Sequence, residues 1–188
     1  MKLDILAFAA HPDDVELSCS GTLMKHIAAG KKVGIVDLTE GQLGSRGSVE
    51  KRYEEAAKAA EIMGLHVREN LKMEDGFFRN DPEHQLLVIE MIRKYRPEIV
   101  LANAPTDRHP DHGRGAVLVS EACFYAGLRK IDSSCDGVSQ EHWRPKALYH
   151  YIQDRYLEPD MVVDISDFMD RKLACIQAYD SQFFNPNS

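Results

Sequence analysis

Residues 3–14 of the chain read LDILAFAAHPDD and join a short apolar run to a group of polar side chains. The apolar run covers residues 5–10 of a segment that we place at residues 3–10, and this segment is too short for a signal peptide or a membrane span. Its length and composition are typical of a buried strand. We therefore predict a core strand whose carboxyl end carries His11, Asp13 and Asp14.

Strands and helices alternate along the rest of the chain. Apolar runs predict further strands at residues 33–38, 67–71, 99–102, 147–152 and 161–165. Helical spacing predicts helices at residues 17–29, 48–64, 81–96, 116–128 and 166–179, with Ser48, Asp81 and Ser166 as caps. This alternation predicts an α/β fold in three layers, with a mostly parallel central sheet covered by helices on both faces.

Composition and charge exclude several classes of protein. The chain has 188 residues, of which 23 are Lys or Arg and 30 are Asp or Glu, so its formal net charge is −7. This length and a hydrophobic content of 44% suit one folded domain. Because the chain is acidic and has no Lys/Arg tract, we do not expect it to bind nucleic acid. The four cysteines are far apart in sequence, so we expect free thiols and a cytoplasmic protein with no membrane segment.

A second HPD motif, HPDH at residues 109–112, lies in the loop after the strand predicted at residues 99–102. Ligands of an open parallel sheet bind beyond the carboxyl ends of the strands, where the strand order reverses. If the two strands are neighbours at that point, both motifs meet in one crevice. Either triplet alone is an ordinary turn, but two at equivalent strand ends predict a functional site.

The mixture of imidazole and carboxylate groups in these motifs suits zinc better than calcium or magnesium. A catalytic zinc takes three protein ligands and keeps one position open for water. We predict that these ligands are His11, Asp14 and His112. The same ligands can also hold Fe²⁺, cobalt or manganese, so the sequence leaves the metal open.

Three further residues of the motifs have predicted catalytic roles. Asp13 lies beside the metal without being needed as a ligand, and we predict that it is the general base for a metal-bound water. His109 and Asp111 are predicted to form a pair, in which the carboxylate orients the imidazole. That imidazole would stabilise the oxyanion or protonate the leaving nitrogen.

The loop LTEGQLGSRGS, residues 38–48, is rich in glycine but matches neither the dinucleotide-binding pattern nor the P-loop, so nucleotide binding is a weak inference. Four arginines fall in or beside the proposed crevice: Arg46, Arg52, Arg108 and Arg114. Guanidinium groups there suit a carboxylate or another anionic group of a substrate. The alternative for Arg52 is a solvated helix face.

With these motifs the chain resembles the zinc-dependent N-acetylglucosaminyl deacetylases of the LmbE-like, or PIG-L, family over nearly its whole length. The segment TEGQLGSRGS, residues 39–48, is most similar to the branch that deacetylates N-acetylglucosaminyl-malate in bacillithiol biosynthesis. The resemblance implies a Rossmann-like fold and hydrolysis of the acetamido group of a sugar. It also implies the metal ligands, the base and the assisting pair named above, and a substrate contact by Arg52.

Members of this family usually continue for several elements beyond the last predicted helix, and that region contributes a tyrosine to the oxyanion site. We therefore expect that residues 1–188 form a single domain that lacks its C-terminal segment. We also expect a small-molecule amino-sugar conjugate as substrate, and a homo-oligomer. Two alternatives stay open. The first is a deacetylase with a different substrate, which is another N-acetyl sugar, a chitooligosaccharide fragment or a mycothiol-type conjugate. The second is a Rossmann-like module that binds a metal or ligand without turnover.

Overall fold

The structure is a computed structural model that describes residues 1–183. Its strands are β1 (Ile5–Ala9), β2 (Val33–Thr39), β3 (Val67–Met73), β4 (Ile99–Ala102), β5 (Ser134–Cys135), β6 (Val138–Ser139) and β7 (Ala147–His150). Five of them form one sheet in the order β3-β2-β1-β4-β7, in which every pairing is parallel. The short strands β5 and β6 form a separate antiparallel hairpin. The predicted α/β fold with a mostly parallel central sheet is thereby confirmed.

The strand order reverses at β1, which pairs with β2 on one edge and with β4 on the other. Such a reversal opens a crevice beyond the carboxyl ends of the two strands that flank it. His11 lies two residues after β1, and Asn103 directly follows β4. The fold therefore places both loops where a ligand of a parallel sheet is expected.

Seven α-helices occur in the described part of the chain. They are α1 (Asp14–Ser18), α2 (Ser20–Ala28), α3 (Val49–Met63), α4 (Pro82–Tyr95), α5 (Pro110–Ala126), α6 (Met169–Gln177) and α7 (Asp180–Phe183). One face of the sheet packs against α4 and α5, and Phe8 and Leu118 belong to that core. The other face packs against α2, α3 and α6, around Ile35 and Met63. No helix within residues 1–183 is long and apolar enough to cross a membrane.

Local sequence explains how α3 and α4 begin and end. The Ser48 side chain accepts a hydrogen bond from the backbone N–H of Lys51, and Gly64 ends the helix with φ +73°. Asp81 caps α4 in the same way, and Pro82 occupies the first helical position, where the missing N–H costs nothing. The predicted starts of both helices are confirmed.

The strand predicted at residues 161–165 is wrong. This segment runs along α2, where Lys25 donates to the backbone oxygen of Asp164 at 2.7 Å. The side chain of Ile165 lies against Gly21 of the same helix. Val162 is 84% exposed. An apolar run forms a strand only where another strand pairs with it, and within residues 1–183 this segment has no such partner.

Three predicted helix boundaries are also corrected. The helix predicted at residues 17–29 is divided at Cys19 into α1 and α2. The helix predicted from residue 116 begins at Pro110, so the second HPD motif forms its first turn. Ser166 does not cap the last long helix, because it begins a short 3₁₀ turn and its hydroxyl donates to Asp164 at 2.6 Å. Pro110 is a typical first helical residue, and the sequence signal for the earlier start was present.

Candidate metal centre

The two HPD motifs meet at the reversal of strand order. His11 follows β1, whereas His109 and His112 lie at the start of α5. The ring centroids are 4.6 Å apart for His11 and His109, and 5.2 Å apart for His109 and His112. One nitrogen atom of each of the three rings lies within 4.8 Å of the others. Residues that are almost 100 positions apart in the sequence thus lie together in one site.

Asp14 lies between two of these histidines. Its Oδ1 is 3.1 Å from Nε2 of His112, and its Oδ2 is 3.7 Å from Nδ1 of His11. Burial acts to raise the pKa of Asp14, but the hydrogen bond with His112 and the charge of His11 hold it well below its ordinary value. The three predicted ligands are therefore adjacent in space. Their binding of a metal stays a prediction.

A second group of possible ligands uses the other side of the His11 ring. Nε2 of His11 lies 3.0 Å from Oδ1 of Asp75 and 3.3 Å from Oδ2 of Asp111. Burial acts to lower the pKa of His11, but these two carboxylates raise it to about 10. Sequence reasoning missed Asp75, which follows β3 at the same edge of the sheet. The strand-end rule that selected the HPD motifs would also have selected Asp75.

The pairing predicted between His109 and Asp111 differs from the structure. The carboxylate of Asp111 contacts His11, the backbone N–H of Gly76 at 2.8 Å and the guanidinium of Arg114 at 2.5 Å. It is the backbone N–H of Asp111 that donates to Nδ1 of His109, at 3.3 Å, because His109 is the cap of α5. Asp111 therefore orients His11 rather than His109.

The hydrogen bond from the backbone N–H of Asp111 to His109 determines which nitrogen of the His109 ring carries the hydrogen. Because Nδ1 accepts, the hydrogen of the neutral ring is on Nε2. Burial and the nearby charge of His11 lower the pKa of His109, which favours this neutral form. His109 is thus a hydrogen-bond donor through Nε2.

Asp13 has a strained backbone, with φ +125° and ψ −23°. Strain of this kind costs about 1–3 kcal/mol and is common at functional sites. Burial, together with the charge of Asp14, raises the pKa of Asp13 to about 8. Arg52 opposes this rise, and its Nη1 lies 3.4 Å from Oδ2 of Asp13 and donates to the backbone oxygen of Pro12 at 2.8 Å. Asp13 is thus a carboxyl group with a pKa near neutrality, held by a buried arginine.

The four arginines of the predicted cluster have different partners. Arg52 is buried against Asp13, and Arg114 pairs with Asp111. Arg46 is exposed and donates to the backbone oxygen of Gln182 at 3.2 Å. Arg108 is exposed and lies 3.5 Å from the exposed carboxylate of Asp154. Two arginines therefore hold carboxylates of the site and two lie at the surface. A substrate contact by Arg46, Arg52 or Arg108 stays a prediction.

Polar groups that sequence reasoning missed surround the three predicted ligands. Asn103 and Gln153 donate to the two oxygens of Asp14, at 2.9 and 3.0 Å. The carboxylate of Asp107 lies 3.4 Å from Nδ1 of His112, on the side of the ring that faces away from Asp14. A carboxylate in this position fixes the orientation of an imidazole whose other nitrogen binds a metal.

The donor atoms at this place fit a divalent metal. They are imidazole nitrogens and carboxylate oxygens, which form the donor set of many catalytic zinc sites. Four carboxyl groups lie within 4 Å of a nitrogen of His11 or His112: Asp14, Asp75, Asp107 and Asp111. A divalent cation would offset this concentration of negative charge. The structure therefore contains a His/Asp site that can hold a metal, while its chemistry alone does not identify the metal.

Comparisons with known proteins agree with the fold. A family model described as PIG-L, GlcNAc-PI de-N-acetylase, matches residues 6–123, a range that includes both HPD motifs. Diacetylchitobiose deacetylase of Thermococcus kodakarensis is 32% identical in an alignment of 189 positions, which covers 95% of this chain and 70% of that protein.

Two further proteins extend the comparison. The crystal structure of a conserved protein from Thermus thermophilus has a TM-score of 0.89 and 41% identity, and the match covers 96% of this chain and 80% of that one. A 4-oxalmesaconate hydratase of Pseudomonas putida is 26% identical in an alignment of 193 positions, which covers 94% of this chain and 73% of that protein. The same fold therefore occurs in proteins that are named for two different reactions.

Proposed function

The chain belongs to the PIG-L family of GlcNAc-PI de-N-acetylases, and on this premise we propose that it is a metal-dependent enzyme that hydrolyses the N-acetyl group of an N-acetylglucosamine conjugate. One observation carries this proposal. His11, Asp14 and His112 lie together beside Asp13, whose backbone is strained and whose pKa is raised. A base beside a possible metal site is what hydrolysis of an amide requires.

His11, Asp14 and His112 would hold the metal, which we propose to be zinc, with Fe²⁺ as the alternative. A metal bound there would polarise the acetyl carbonyl and lower the pKa of a water molecule. The protein's own part begins with Asp13, which accepts a proton from the attacking water. A base with a pKa near neutrality combines a suitable protonation state with sufficient proton affinity.

His109 would assist at the oxygen of the reacting carbonyl. Its Nε2–H donates to the oxygen of the acetyl group as negative charge develops there. The bond between the carbonyl carbon and the sugar nitrogen then breaks, and that nitrogen takes up the proton that the water gave to Asp13. The products are acetate and a free amino sugar.

The group attached to the sugar is the finer part of the proposal. Similarity of residues 39–48 to the malate-specific branch favours N-acetylglucosaminyl-malate. Arg108 supports this substrate, because it is exposed, adjoins His109 and has an exposed partner, Asp154, at 3.5 Å. A surface ion pair of this kind is worth little, so a substrate carboxylate can replace Asp154. The identity to diacetylchitobiose deacetylase favours a chitooligosaccharide fragment instead.

Acetate release from a panel of substrates tests both the deacetylase activity and the group that is attached to the sugar. The zinc-loaded protein is offered N-acetylglucosaminyl-malate, diacetylchitobiose, a mycothiol-type conjugate and N-acetylglucosamine, and chelator-treated protein is the control. We expect the malate conjugate to be the best substrate and Arg108→Ala to raise its KM about 10-fold, but not that of N-acetylglucosamine. A preference for diacetylchitobiose would contradict only the malate assignment and would leave the deacetylase proposal unaffected. No acetate from any sugar at full zinc occupancy contradicts the deacetylase and favours a binding module.

A second candidate reaction rests on the similarity to 4-oxalmesaconate hydratase. A hydratase also activates water, but it adds that water to a double bond of an unsaturated acid. The same protein preparation is therefore tested for loss of the ultraviolet absorbance of 4-oxalmesaconate. Hydration without acetate release would replace the deacetylase by a hydratase.

A further inference from the structure

Two amide side chains hold the Asp14 carboxylate from outside the site. Nδ2 of Asn103 donates to Oδ2 of Asp14 at 2.9 Å, and Nε2 of Gln153 donates to Oδ1 at 3.0 Å. The amides also contact each other, because Nδ2 of Asn103 donates to Oε1 of Gln153 at 2.9 Å. Oδ1 of Asn103 accepts from the backbone N–H of Ala10 at 2.9 Å. This N–H can only donate, so it fixes the orientation of both amides.

These contacts leave the carboxylate of Asp14 with one lone pair that accepts no hydrogen bond from a backbone or amide N–H, and it is on Oδ1. Its Oδ2 accepts from Asn103 and from the backbone N–H of His11 at 3.0 Å, which uses both lone pairs of that oxygen. Its Oδ1 accepts from Gln153 and otherwise faces Nε2 of His112 at 3.1 Å. A cation between Asp14 and His112 would therefore meet Oδ1 alone.

We propose that Asn103 and Gln153 are positioning residues that present Asp14 to a divalent metal through Oδ1, as a ligand with a single oxygen. The inference rests on the proposed function in so far as it takes the metal site as given. Hydrogen bonds to a ligating carboxylate restrict its rotation, and such partners typically contribute about 10- to 100-fold to metal affinity.

The fold explains why these two residues act together. Asn103 directly follows β4, and Gln153 lies three residues after the edge strand β7. Their partner Asp14 comes after β1, so three adjacent parallel strands contribute to one hydrogen-bonded group. The amides are neutral donors, and they stabilise a buried carboxylate without adding a charge that would compete with the cation.

Gln153 is the better position for a test, because it is partly exposed, whereas Asn103 is 1% exposed and its replacement endangers folding. Gln153→Met keeps the size of the side chain and removes the donor. Gln140→Met is the matched control, because Nε2 of Gln140 also makes one hydrogen bond, to the backbone oxygen of Glu90 at 2.9 Å, outside the site.

The zinc affinity of each variant is measured by competition with a chromophoric chelator, and the absorption spectrum of the Co²⁺-substituted protein reports on the ligand geometry. We expect Gln153→Met to bind zinc about 10- to 100-fold more weakly and to change the Co²⁺ bands, whereas Gln140→Met should match the wild type. Acetate release should fall at limiting zinc and recover at excess zinc.

The failures of the two proposals are distinguishable. If the wild type binds zinc and Gln153→Met shows the same affinity and the same Co²⁺ spectrum, the positioning role is refuted and the deacetylase is unaffected. If the wild type binds neither metal, the metal-dependent function itself is refuted.

Discussion

Asp13 and Asp14 are consecutive residues whose carboxyl groups are perturbed in opposite directions. Asp13 has φ +125° and a pKa raised to about 8, first by burial and then by the charge of Asp14. Asp14 begins α1, and contacts with His112 and His11 hold its pKa well below the ordinary value. Titratable groups whose pKa values are pushed apart commonly divide acid–base and electrostatic roles between them. In the proposed function, proton transfer therefore falls to Asp13 and metal binding to Asp14.

Asp13→Asn tests this division of roles. The amide keeps the shape of the side chain but cannot accept the proton, so we expect acetate release to fall by about 10²- to 10⁴-fold. Zinc affinity should stay within a few-fold of the wild type, because Asp13 is not a predicted ligand. Metal content and initial rates are measured on the same samples. Full turnover at full zinc occupancy would remove Asp13 from the mechanism.

The strained backbone of Asp13 gives a second prediction, which concerns stability alone. Asp13→Gly and Asp13→Ala both remove the carboxyl group, but only glycine adopts φ +125° without strain. We expect the glycine variant to be more stable than the alanine variant by about 1 kcal/mol, even after the entropic cost of glycine in the unfolded chain. Urea unfolding of the two variants measures the difference. Equal stabilities would mean that this backbone is not strained.

The sequence predicted the sheet well, because buried parallel strands are continuous apolar runs such as residues 5–10. It predicted residues 161–165 wrongly, since strand formation depends on a pairing partner and this segment lies against α2. The convergence of His11 and His112 followed from topology, because both loops lie at strand ends. Gln153 could not be found in this way, since its contact with Asp14 joins residues 139 positions apart and no motif surrounds it.

The carboxylates around His11 predict how the stability of the chelator-treated protein depends on pH. The pKa of His11 is raised from 6.5 to about 10, chiefly by Asp111 and Asp75 against the opposing effect of burial. A raised pKa means that the folded state binds the proton more tightly than the unfolded state. The stabilisation from His11 is therefore complete below pH 6.5 and is lost as the pH rises toward about 10.

Urea unfolding between about pH 6 and about pH 9 checks this dependence. We expect the free energy of unfolding to fall over this range, and His11→Gln to make the fall shallower. His84→Gln is the control, because His84 pairs with Asp81 at the start of α4, away from the site. Saturating zinc should suppress the fall, since a coordinated imidazole binds no proton. An unchanged slope in His11→Gln would contradict the assignment.

Arg68 connects the elements behind the site through a buried ionic group. Its guanidinium donates to both oxygens of Asp37 in β2, at 2.8 and 3.0 Å, and to Oε1 of Glu16 in α1 at 2.5 Å. Tyr179 donates to the same oxygen of Glu16 at 2.9 Å. Glu16 and Asp37 are both almost inaccessible to solvent, so neither can be hydrated when the arginine is lost.

We expect Arg68→Met to destabilise the protein by about 3–5 kcal/mol, because it leaves two buried carboxylates without a cation. Adding Glu16→Gln and Asp37→Asn to Arg68→Met should recover part of this loss, since the added amides carry no charge.

Lys51→Met is the control, because Lys51 pairs with Glu54 on the exposed surface of α3. This variant should lose less than about 1 kcal/mol of stability. Urea unfolding of the four proteins measures these differences. A triple variant less stable than Arg68→Met would show that unpaired charge is not the cause of the loss. Since α1 directly follows Asp13, the single variant should also lower acetate release at full zinc occupancy more than Lys51→Met does.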